Sequence, residues 1–444
     1  MKVSIIGAGY VGLVTGVCLA EKGHQVVCVD VNQERVEKIN QAISPIYERG
    51  LEGLLKKNIK VNLEATTNLY KSIVETEISL IAVGTPFVNN EIDLTYIKEV
   101  SHQIGQALKE KSTYHLVVIK STVVPGTTDT VVLPILEKAS GKKAGIHFGV
   151  AMNPEFLREG EAIQDFMFPD RIILGGMDEK SIEILGKLYC SFDRVDTLRT
   201  NNKTAEMIKY TSNSLLATMI SFSNEIGNLC ASIGDIDVVD VMKGVHLDKR
   251  LSPIMPDGKR VVPSFTAYLE AGCGFGGSCF PKDVKALIAH GKKFGSQMRL
   301  LDAVIQINEQ QPGQILLILK KHFPVLSGIR IAVLGLSFKP NTDDLRESPS
   351  IPIVKYLIEQ NAIVKAYDPI AGHEAYQLFG DTIEFCNDLG QTIKDVQAIV
   401  LLTRWEEFKK IPEMMIHLNT QPLFIDGRRM LDKYHIKRYE GIGL

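Results

Sequence analysis

The chain has 444 residues, of which 45% are hydrophobic and 23% are charged. This composition predicts a globular protein of two or three domains and excludes a disordered or collagen-like chain. The 50 basic and 52 acidic side chains leave a net charge of −2, which provides no general field to recruit nucleic acid or an anionic membrane. A local basic pocket for a phosphorylated small molecule remains compatible with this balance.

The apolar runs and the cysteines indicate the cellular compartment of the protein. The longest apolar runs are strand-sized, so no membrane-spanning helix is expected. Lys2 precedes a short apolar strand that enters a glycine turn, without the small-residue cleavage site of an export signal. The seven cysteines are an odd number in a long chain, which favours reduced thiols in the cytoplasm. No cysteine or histidine pair has the spacing of a zinc site, so no metal is expected.

The first thirty residues predict a dinucleotide-binding βαβ unit. Its strand, glycine turn, helix and second strand fall at residues 2–6, 7–12, 13–22 and 26–29. In the turn GAGYVG, Gly7 permits the sharp bend, Gly9 lets the backbone approach a pyrophosphate, and Gly12 lets the helix pack closely. The helix N-terminus then faces the diphosphate. Asp30, at the end of the second strand, can accept hydrogen bonds from both ribose hydroxyls, which favours NAD as the cofactor.

Three later strands end in polar segments. Strands at residues 78–83 and 116–119 run into Thr85 and Thr122, and a strand at 148–152 precedes NPEFLREG at 153–160. Ligands of open parallel sheets bind at the carboxyl ends of the strands. The loops of Thr85 and Thr122 are therefore expected to border the cofactor, and Glu155 and Glu159 are candidates to act as a base or to hold a water.

A helix of about 30 residues is predicted from 201 to 232, long enough to join two domains and to form a dimer interface. Lys209 and Asn213 lie four residues apart on it and share one face, a geometry suited to holding a water or an alkoxide. A second helical pattern covers residues 298–322, and Pro312 is expected to kink or divide it.

The C-terminal part repeats the alternation of strands and helices. Its predicted strands are at 330–334, 362–367, 398–402 and 424–426, with a helix at 350–360. The turn GLSFKPNTDDLRESPS lacks the three glycines, so a second dinucleotide is not implied. Lys339 and Arg346 instead offer cations to a nucleoside diphosphate or another anion.

The segment AGCGFGGSCFPKD, at 271–283, concentrates the chemistry. Its glycines let the backbone crowd a small ligand. Cys279, near the cation of Lys282, is the favoured nucleophile, although Cys273 is not excluded. A thiolate beside NAD can trap an aldehyde as a thiohemiacetal, yield a second hydride and leave a thioester that water hydrolyses. Asp283 is placed to act as base on that water.

Six segments together resemble the UDP-glucose/GDP-mannose dehydrogenase family of nucleotide-sugar dehydrogenases. They are GAGYVG at 7–12, KSTVVPGTT at 120–128, NPEFLREG at 153–160, KYTSN at 209–213, GFGGSCFPKD at 274–283 and FKPNTDDLRESPS at 338–350. The resemblance covers nearly the whole chain. It implies an α/β fold of two Rossmann-like, doubly wound parallel-sheet domains, the first for NAD and the second for a UDP-sugar. The expected parts are residues 1–198, a central helical and catalytic region at 199–325, and residues 326–444.

The resemblance also implies a four-electron oxidation of the sugar C6 alcohol to a carboxylate, with two NAD consumed, and assigns residues to it. Cys279 matches the nucleophile, Lys209, Asn213 and Asp283 match residues that hold the catalytic water and oxyanion, and Thr122 and Glu155 match water-positioning or acid/base residues. The matched NAD positions are Gly7, Gly9, Val11, Gly12, Asp30, Arg35, Thr85, Thr122, Glu159, Lys282 and Arg346. The matched substrate positions are Glu155, Phe156, Leu157, Arg158, Glu159, Lys209, Asn213, Tyr268, Leu269, Glu270, Ala271, Gly272, Gly276 and Lys339, together with Arg250, which in the family reaches the sugar nucleotide across a homodimer.

The segment between Arg250 and Tyr268 is longer and richer in proline than is usual in the family. UDP-glucose is the expected substrate, and UDP-N-acetylhexosamines and GDP-mannose are alternatives with the same chemistry. Two alternatives of other classes are a single-step β-hydroxyacid-type dehydrogenase, in which Cys279 has no role, and a non-catalytic protein that binds NAD or a nucleotide sugar.

Overall fold

The structure of the protein is a computed structural model that describes residues 1–444. The chain divides into two compact units, residues 1–212 and 213–444. No helix in it combines the length and the apolar character that crossing a membrane requires.

The first unit is built from ten strands and eight complete helices. The strands are β1 (Lys2–Ile6), β2 (Gln25–Val29), β3 (Leu63–Thr66), β4 (Ile78–Ile81), β5 (Phe87–Val88), β6 (Glu91–Ile92), β7 (His115–Ile119), β8 (Phe148–Met152), β9 (Arg171–Gly176) and β10 (Asp196–Thr200). The helices are α1 (Tyr10–Glu21), α2 (Gln33–Asn40), α3 (Leu51–Asn58), α4 (Leu69–Glu75), α5 (Thr95–Glu110), α6 (Leu133–Ser140), α7 (Ala162–Met167) and α8 (Glu179–Leu188), and a π-helical turn covers Thr128–Val132.

Eight of these strands form one sheet in the order β10-β9-β8-β7-β4-β1-β2-β3. Neighbouring strands are parallel except for β8 and β9. Successive residues of β7 pack on opposite faces: Val118 lies with Leu13 of α1, and Ile119 lies with Ile104 of α5. The chain builds outward from β1 in one direction and then from β4 in the other, so the β1/β4 boundary is the topological switch point at which such sheets bind ligands.

The second unit contains a six-stranded sheet, parallel throughout, in the order β13-β12-β11-β14-β15-β16. Its strands are β11 (Arg330–Leu334), β12 (Ile363–Tyr367), β13 (Glu384–Phe385), β14 (Ala398–Leu401), β15 (Leu423–Asp426) and β16 (Tyr439–Gly441). Helix α9 (Asn202–Ile233) runs from the first unit into the second, and the helices that follow are α10 (Val238–His246), α11 (Phe280–Lys293), α12 (Arg299–His322), α13 (Ser350–Glu359), α14 (Gly372–Phe379), α15 (Leu389–Ile393) and α16 (Ile411–Ile416). The predicted fold class, with two Rossmann-like sheets and a long central helix, is confirmed.

Helix α12 is a single element of 24 residues with Pro312 inside it, so the proline does not divide it. Proline removes one backbone hydrogen bond and crowds the preceding turn. Here the neighbouring side chains compensate: Gln311 is buried and donates to the Gly272 carbonyl at 2.9 Å, and Ile315 and Leu319 are fully buried in the core of the second unit. Tertiary packing therefore keeps the helix undivided.

Candidate active site

The glycine turn after β1 has the geometry of a diphosphate-binding loop. Gly7 has a φ of +96°, and its N–H donates to the Val29 carbonyl at 2.8 Å. A Cβ added to Gly12 would lie 1.8 Å from the Gly7 carbonyl oxygen, whereas a Cβ added to Gly9 would meet nothing within 4 Å. Gly12 is therefore required by packing, and Gly9 leaves open space at the N-terminus of α1, where a pyrophosphate fits.

Asp30 joins this turn to the end of β2. Its carboxylate is buried and accepts hydrogen bonds from the backbone of Ala8 at 2.8 Å and of Asn32 at 3.0 Å. The Arg35 guanidinium donates to the same carboxylate at 3.0 Å. The predicted cofactor residues Asp30 and Arg35 are thus brought together beside the glycine turn, and Val11 lies half-buried on the first turn of α1. These residues fit a dinucleotide.

The ends of β4 and β7 are tied to each other. Thr85 donates through its hydroxyl to the Thr122 carbonyl at 2.7 Å. Ser121 donates in the same way to the Val83 carbonyl at 2.7 Å. The structure therefore brings the predicted cofactor residues Thr85 and Thr122 into contact at the carboxyl edge of the sheet.

A buried ion pair lies next to this edge. The Lys209 ammonium is 2.8 Å from the Glu155 carboxylate, and the two side chains are 4% and 6% exposed. Burial acts to raise the pKa of the Glu155 carboxyl, but Lys209, the Leu157 N–H and Lys120 together bring it below its usual value. The Phe156 ring lies 4.0 Å from the Arg171 guanidinium and 5.5 Å from the Lys209 ammonium. Glu155 is thus held as a carboxylate near neutral pH.

Lys120 belongs to this cluster and was not among the predicted site residues. It is buried and donates to the Asn153 side-chain carbonyl at 2.9 Å. Burial lowers the pKa of its ammonium to about 8, an effect that Glu155 opposes and Lys209 reinforces. A lysine with this pKa can exchange protons near neutral pH. The signal in the sequence is its position, directly after β7 at the ligand-binding edge.

The NPEFLREG segment is held by residues distant in sequence. The Glu48 carboxylate accepts from the Gly160 N–H at 2.7 Å and from the Ala162 N–H at 2.9 Å, and the Tyr10 hydroxyl bonds to the same carboxylate. Glu159 is half-buried in this segment, between the other predicted residues and Gly160. Sequence reasoning missed Glu48, whose partners lie 112 and 114 residues away.

Arg158, predicted to contact substrate, engages acidic side chains of its own segment in this structure. Its guanidinium bonds to Asp165 at 2.6 and 3.0 Å, and another of its nitrogens lies 2.8 Å from Glu161. The side chain is more than half exposed.

The cysteine-containing segment of the second unit packs tightly against the segment at 338–348. A Cβ added to Gly276 would lie 2.2 Å from the Glu347 carbonyl oxygen. Gly277 has a φ of +84° and lies against the Phe338 ring, and its N–H donates to the Arg346 carbonyl at 2.9 Å. The glycines of this segment are therefore required for close backbone approach, as well as for flexibility in φ.

The two cysteines of this segment differ in their surroundings. Cys273 is fully buried, and burial raises the pKa of its thiol. Cys279 is half-buried and occupies the N-cap position of α11, with the Ser278 hydroxyl 3.6 Å from its sulfur. A helix N-terminus stabilises a thiolate. The geometry therefore favours Cys279 over Cys273 as the nucleophile.

The Asp283 carboxylate accepts hydrogen bonds from two other predicted residues. Asn213 donates to its carboxylate at 2.7 Å, and the Lys282 ammonium donates to its other oxygen at 2.6 Å. Asn213 and Asp283 are buried, whereas Lys282 is partly exposed. Two charged clusters thus result, with Lys209, Glu155 and Lys120 in the first unit and Asn213, Asp283 and Lys282 in the second.

The turn after β11 in the second sheet resembles the glycine turn after β1, but the segment that follows it is different. Gly335 has a φ of +88°, and Asp368 accepts from the N–H groups of Leu336 and Ser337 at 2.8 and 3.0 Å, as Asp30 accepts from Ala8. Counting from the turn glycine, however, Pro340 stands where the first turn has Gly12, and no helix begins until Ser350. This turn therefore lacks the helix N-terminus that would receive a dinucleotide.

The remaining predicted substrate residues, and Arg346 of the predicted NAD positions, lie at several places in the second unit. Lys339 has its ammonium 5.8 Å from the Phe338 ring, and Arg346 makes two bonds to Asp344 at 2.8 and 2.7 Å. Tyr268 ends a 3-10 turn, and residues 269–272 follow it. Glu270 pairs with Arg404, Gly272 donates to Asn224 at 2.8 Å, and the Leu269 and Ala271 side chains are buried. The Tyr268 ring packs 6.3 Å from that of Phe280. Arg250 is 89% exposed and pairs with Asp248.

The UDP-glucose/GDP-mannose dehydrogenase family matches the chain in three consecutive segments. Its NAD binding domain matches residues 1–193, its central domain residues 203–310 and its UDP binding domain residues 332–433. The chain belongs to this family. It is an NAD-dependent oxidoreductase, so the predicted family, enzyme class and cofactor are confirmed.

Individual relatives match most or all of the chain. The UDP-glucose 6-dehydrogenase AglM of Haloferax volcanii is 38% identical over 447 residues, which cover 100% of both chains. A GDP-mannose 6-dehydrogenase of Azotobacter vinelandii is 42% identical over 370 residues, 83% of this chain and 81% of that one. The structure of a UDP-glucose dehydrogenase from Pyrobaculum islandicum aligns with a TM-score of 0.90 at 37% identity, covering 99% and 97% of the two chains.

Proposed function

We propose that the enzyme oxidises UDP-glucose to UDP-glucuronate at C6, consuming two NAD per sugar. The observation that carries the proposal is Cys279, half-buried at the N-terminus of α11, because a single-step alcohol dehydrogenase has no use for a nucleophilic sulfur in such a position. The full-length similarity to UDP-glucose 6-dehydrogenases supports the choice of sugar nucleotide.

The first cluster serves the first oxidation in this proposal. The alcohol proton passes to the buried group of Glu155, Lys209 and Lys120, and Thr122 orients a water there. The Lys209 ammonium stabilises negative charge that develops on the sugar oxygen. NAD, held by the glycine turn, Asp30 and Arg35, supplies the hydride acceptor.

The second cluster serves the covalent steps. The Cys279 sulfur adds to the aldehyde carbon, and the resulting oxygen is stabilised by Asn213 and Lys209. Loss of a second hydride, to a second NAD, and of the hydroxyl proton leaves a thioester. Asp283 takes a proton from the water that attacks the thioester carbon, the carbon–sulfur bond breaks to release the carboxylate, and the sulfur is protonated again to the thiol. Residues 326–444 bind the UDP moiety through Lys339, residues 268–272 fix the sugar, and Lys282 and Arg346 contribute to the NAD site.

The stoichiometry of the reaction tests the proposal. A limiting amount of UDP-glucose with excess NAD is expected to yield two NADH per sugar, measured by absorbance at completion. A ratio of one would favour the single-step β-hydroxyacid-type dehydrogenase and contradict the two-step oxidation. In a panel that includes UDP-N-acetylhexosamines and GDP-mannose, UDP-glucose is expected to give the highest kcat/KM.

We also propose that the enzyme is at least a dimer. Leu215, Phe222 and Leu229 are 58%, 48% and 54% exposed, and their spacing of seven residues places them on one stripe of α9. Light scattering is expected to give at least twice the chain mass of 49.2 kDa, and Phe222→Asp is expected to lower it. A wild-type mass of one chain at micromolar concentration would contradict the proposal.

A further inference from the structure

Glu206, on α9, makes an unusual set of contacts for a buried acid. Its side chain is 0% exposed. One carboxylate oxygen accepts from the Gly126 N–H at 2.5 Å, and the other accepts from the Thr128 N–H at 2.8 Å and the Thr128 hydroxyl at 2.6 Å. Three donors on one buried carboxylate fix the backbone of the segment that provides them.

That segment is the loop that begins with Thr122 and ends in the π-helical turn. Gly126 has a φ of +98°, and Thr127 closes a local turn by donating to the Val124 carbonyl. At the other end of the loop, the Thr122 carbonyl accepts from Thr85. The loop is thus held at its start by the sheet and at its end by Glu206.

Glu206 also precedes Lys209 by three residues, so the two side chains lie on the same side of α9. Lys209 forms the buried pair with Glu155. One turn of this helix therefore anchors both the Thr122 loop and the ion pair of the first cluster. We propose that Glu206 is a positioning residue that holds the Thr122 loop in register with Lys209 for hydride transfer.

The proposal rests on the proposed function only for the role of Thr122. Glu206 itself touches no reacting atom, so its effect is expected in kcat more than in the KM for the sugar nucleotide.

The protonation of Glu206 provides a signature that a merely structural residue would lack. Burial raises the pKa of its carboxyl to about 7, opposed by the bonds from Thr128 and Gly126 and reinforced by Asp129. Asp129, on the π-helical turn and bonded to Asn202, is the charged neighbour that raises this pKa further. On α9, the Lys203 side chain passes close to Gly126. A protonated carboxyl loses acceptor capacity, so the loop is expected to loosen as pH falls through about 7.

The test compares Glu206→Gln with the wild type in purified full-length enzyme. The single amide oxygen cannot replace both carboxylate oxygens, and the amide NH₂ would face a backbone N–H. We expect kcat to fall roughly 10- to 100-fold with the KM for UDP-glucose changed less than about threefold. The acid limb of log kcat in the wild type is expected to become steeper as pH falls through about 7, where Glu206 is protonated, and this extra steepness is expected to disappear in the variant, whereas the part due to Lys120 near pH 8 remains.

Two further variants make the result specific. Thr128→Val removes only the hydroxyl bond and is expected to lower kcat about two- to fivefold, and Glu52→Gln, which removes an exposed carboxylate paired with Lys56, is the matched control with no expected change. Wild-type kcat values and pH profiles in a folded Glu206→Gln, or in Thr128→Val if the first variant does not fold, would overturn the proposal.

A failure of the proposed function would be visible separately. It would appear as absence of wild-type turnover with UDP-glucose despite NADH binding, measured by fluorescence. The positioning role is then read from the ratio of variant to wild-type kcat on the nucleotide sugar in the panel that is oxidised.

Discussion

Cys279→Ser is expected to lower production of free UDP-glucuronate by on the order of 10³-fold or more. A serine hydroxyl is far harder to ionise than a thiol, and the ester it would form is more resistant to hydrolysis than a thioester. The loss falls on the covalent half of the reaction, because the first hydride transfer does not need the sulfur. Chromatography of the products and trapping of the aldehyde by an amine reagent would measure the two halves separately.

Cys190→Ser is the matched control, since Cys190 is exposed and lies in the first unit, outside the charged clusters. It is expected to keep wild-type activity. Acid production by Cys279→Ser at the wild-type rate would eliminate the covalent mechanism, and the residue would then be a packing element of its loop.

Lys209→Met is expected to reduce both activity and the free energy of unfolding. Removing one partner of a buried pair leaves the other charge without compensation, at a cost of about 3–5 kcal/mol. Lys120 remains near Glu155, so the loss is expected at about 3 kcal/mol, the lower end of that range. Urea unfolding at pH 7 measures it. The kcat is expected to fall at least about 100-fold, because the same ammonium stabilises the sugar oxygen.

The loss of unfolding free energy in Lys209→Met is expected to depend on pH. In the wild type the pKa of Glu155 is lowered by folding, so its contribution to stability is present above the unfolded pKa and is lost as pH falls through the folded value. In Lys209→Met the buried Glu155 carboxylate lacks the Lys209 ammonium, so burial favours its protonated form. The free energy of unfolding of the variant is therefore expected to rise relative to that of the wild type as pH falls. The difference in unfolding free energy between wild type and variant should therefore shrink from pH 7 toward pH 4.

A double-mutant cycle separates pairing from packing. Glu155→Gln with Lys209→Met is expected to recover most of the stability but none of the activity, because no carboxylate remains stranded and Lys120, whose pKa burial lowers to about 8, can release its proton. The exposed pair of Lys56 and Glu52 provides the control, where Lys56→Met is expected to cost less than about 0.5 kcal/mol. Equal losses of unfolding free energy in Lys209→Met and Lys56→Met would contradict a structural role for the buried pair of Lys209 and Glu155.

The sequence was most informative where function depends on neighbouring residues. The glycine turn could be predicted because each glycine has a local reason, and the structure shows two of those reasons directly, in the positive φ of Gly7 and the crowding at Gly12. The long helix was likewise predicted to within one residue at each end, since it lacks proline and contains one glycine.

The features that could not be predicted depend on distant partners or on weak patterns. Glu206 meets residues 78 and 80 positions away, and neither its charge nor its spacing distinguishes it from a surface acid on a helix. Strand β10 has no alternating pattern, because its side chains are largely exposed and it pairs only at the sheet edge with β9. The choice between Cys273 and Cys279 needed burial, which no local pattern reveals.

The most direct test of the central claim is a crystal structure of Cys279→Ser with NAD and UDP-glucose bound. The prediction is that the side-chain oxygen of residue 279 lies about 3–3.5 Å from the sugar C6, with the nicotinamide C4 facing the same carbon. A side chain more than about 6 Å from C6, twice the reach of an attacking atom, in a complex containing both ligands would contradict a covalent role for Cys279.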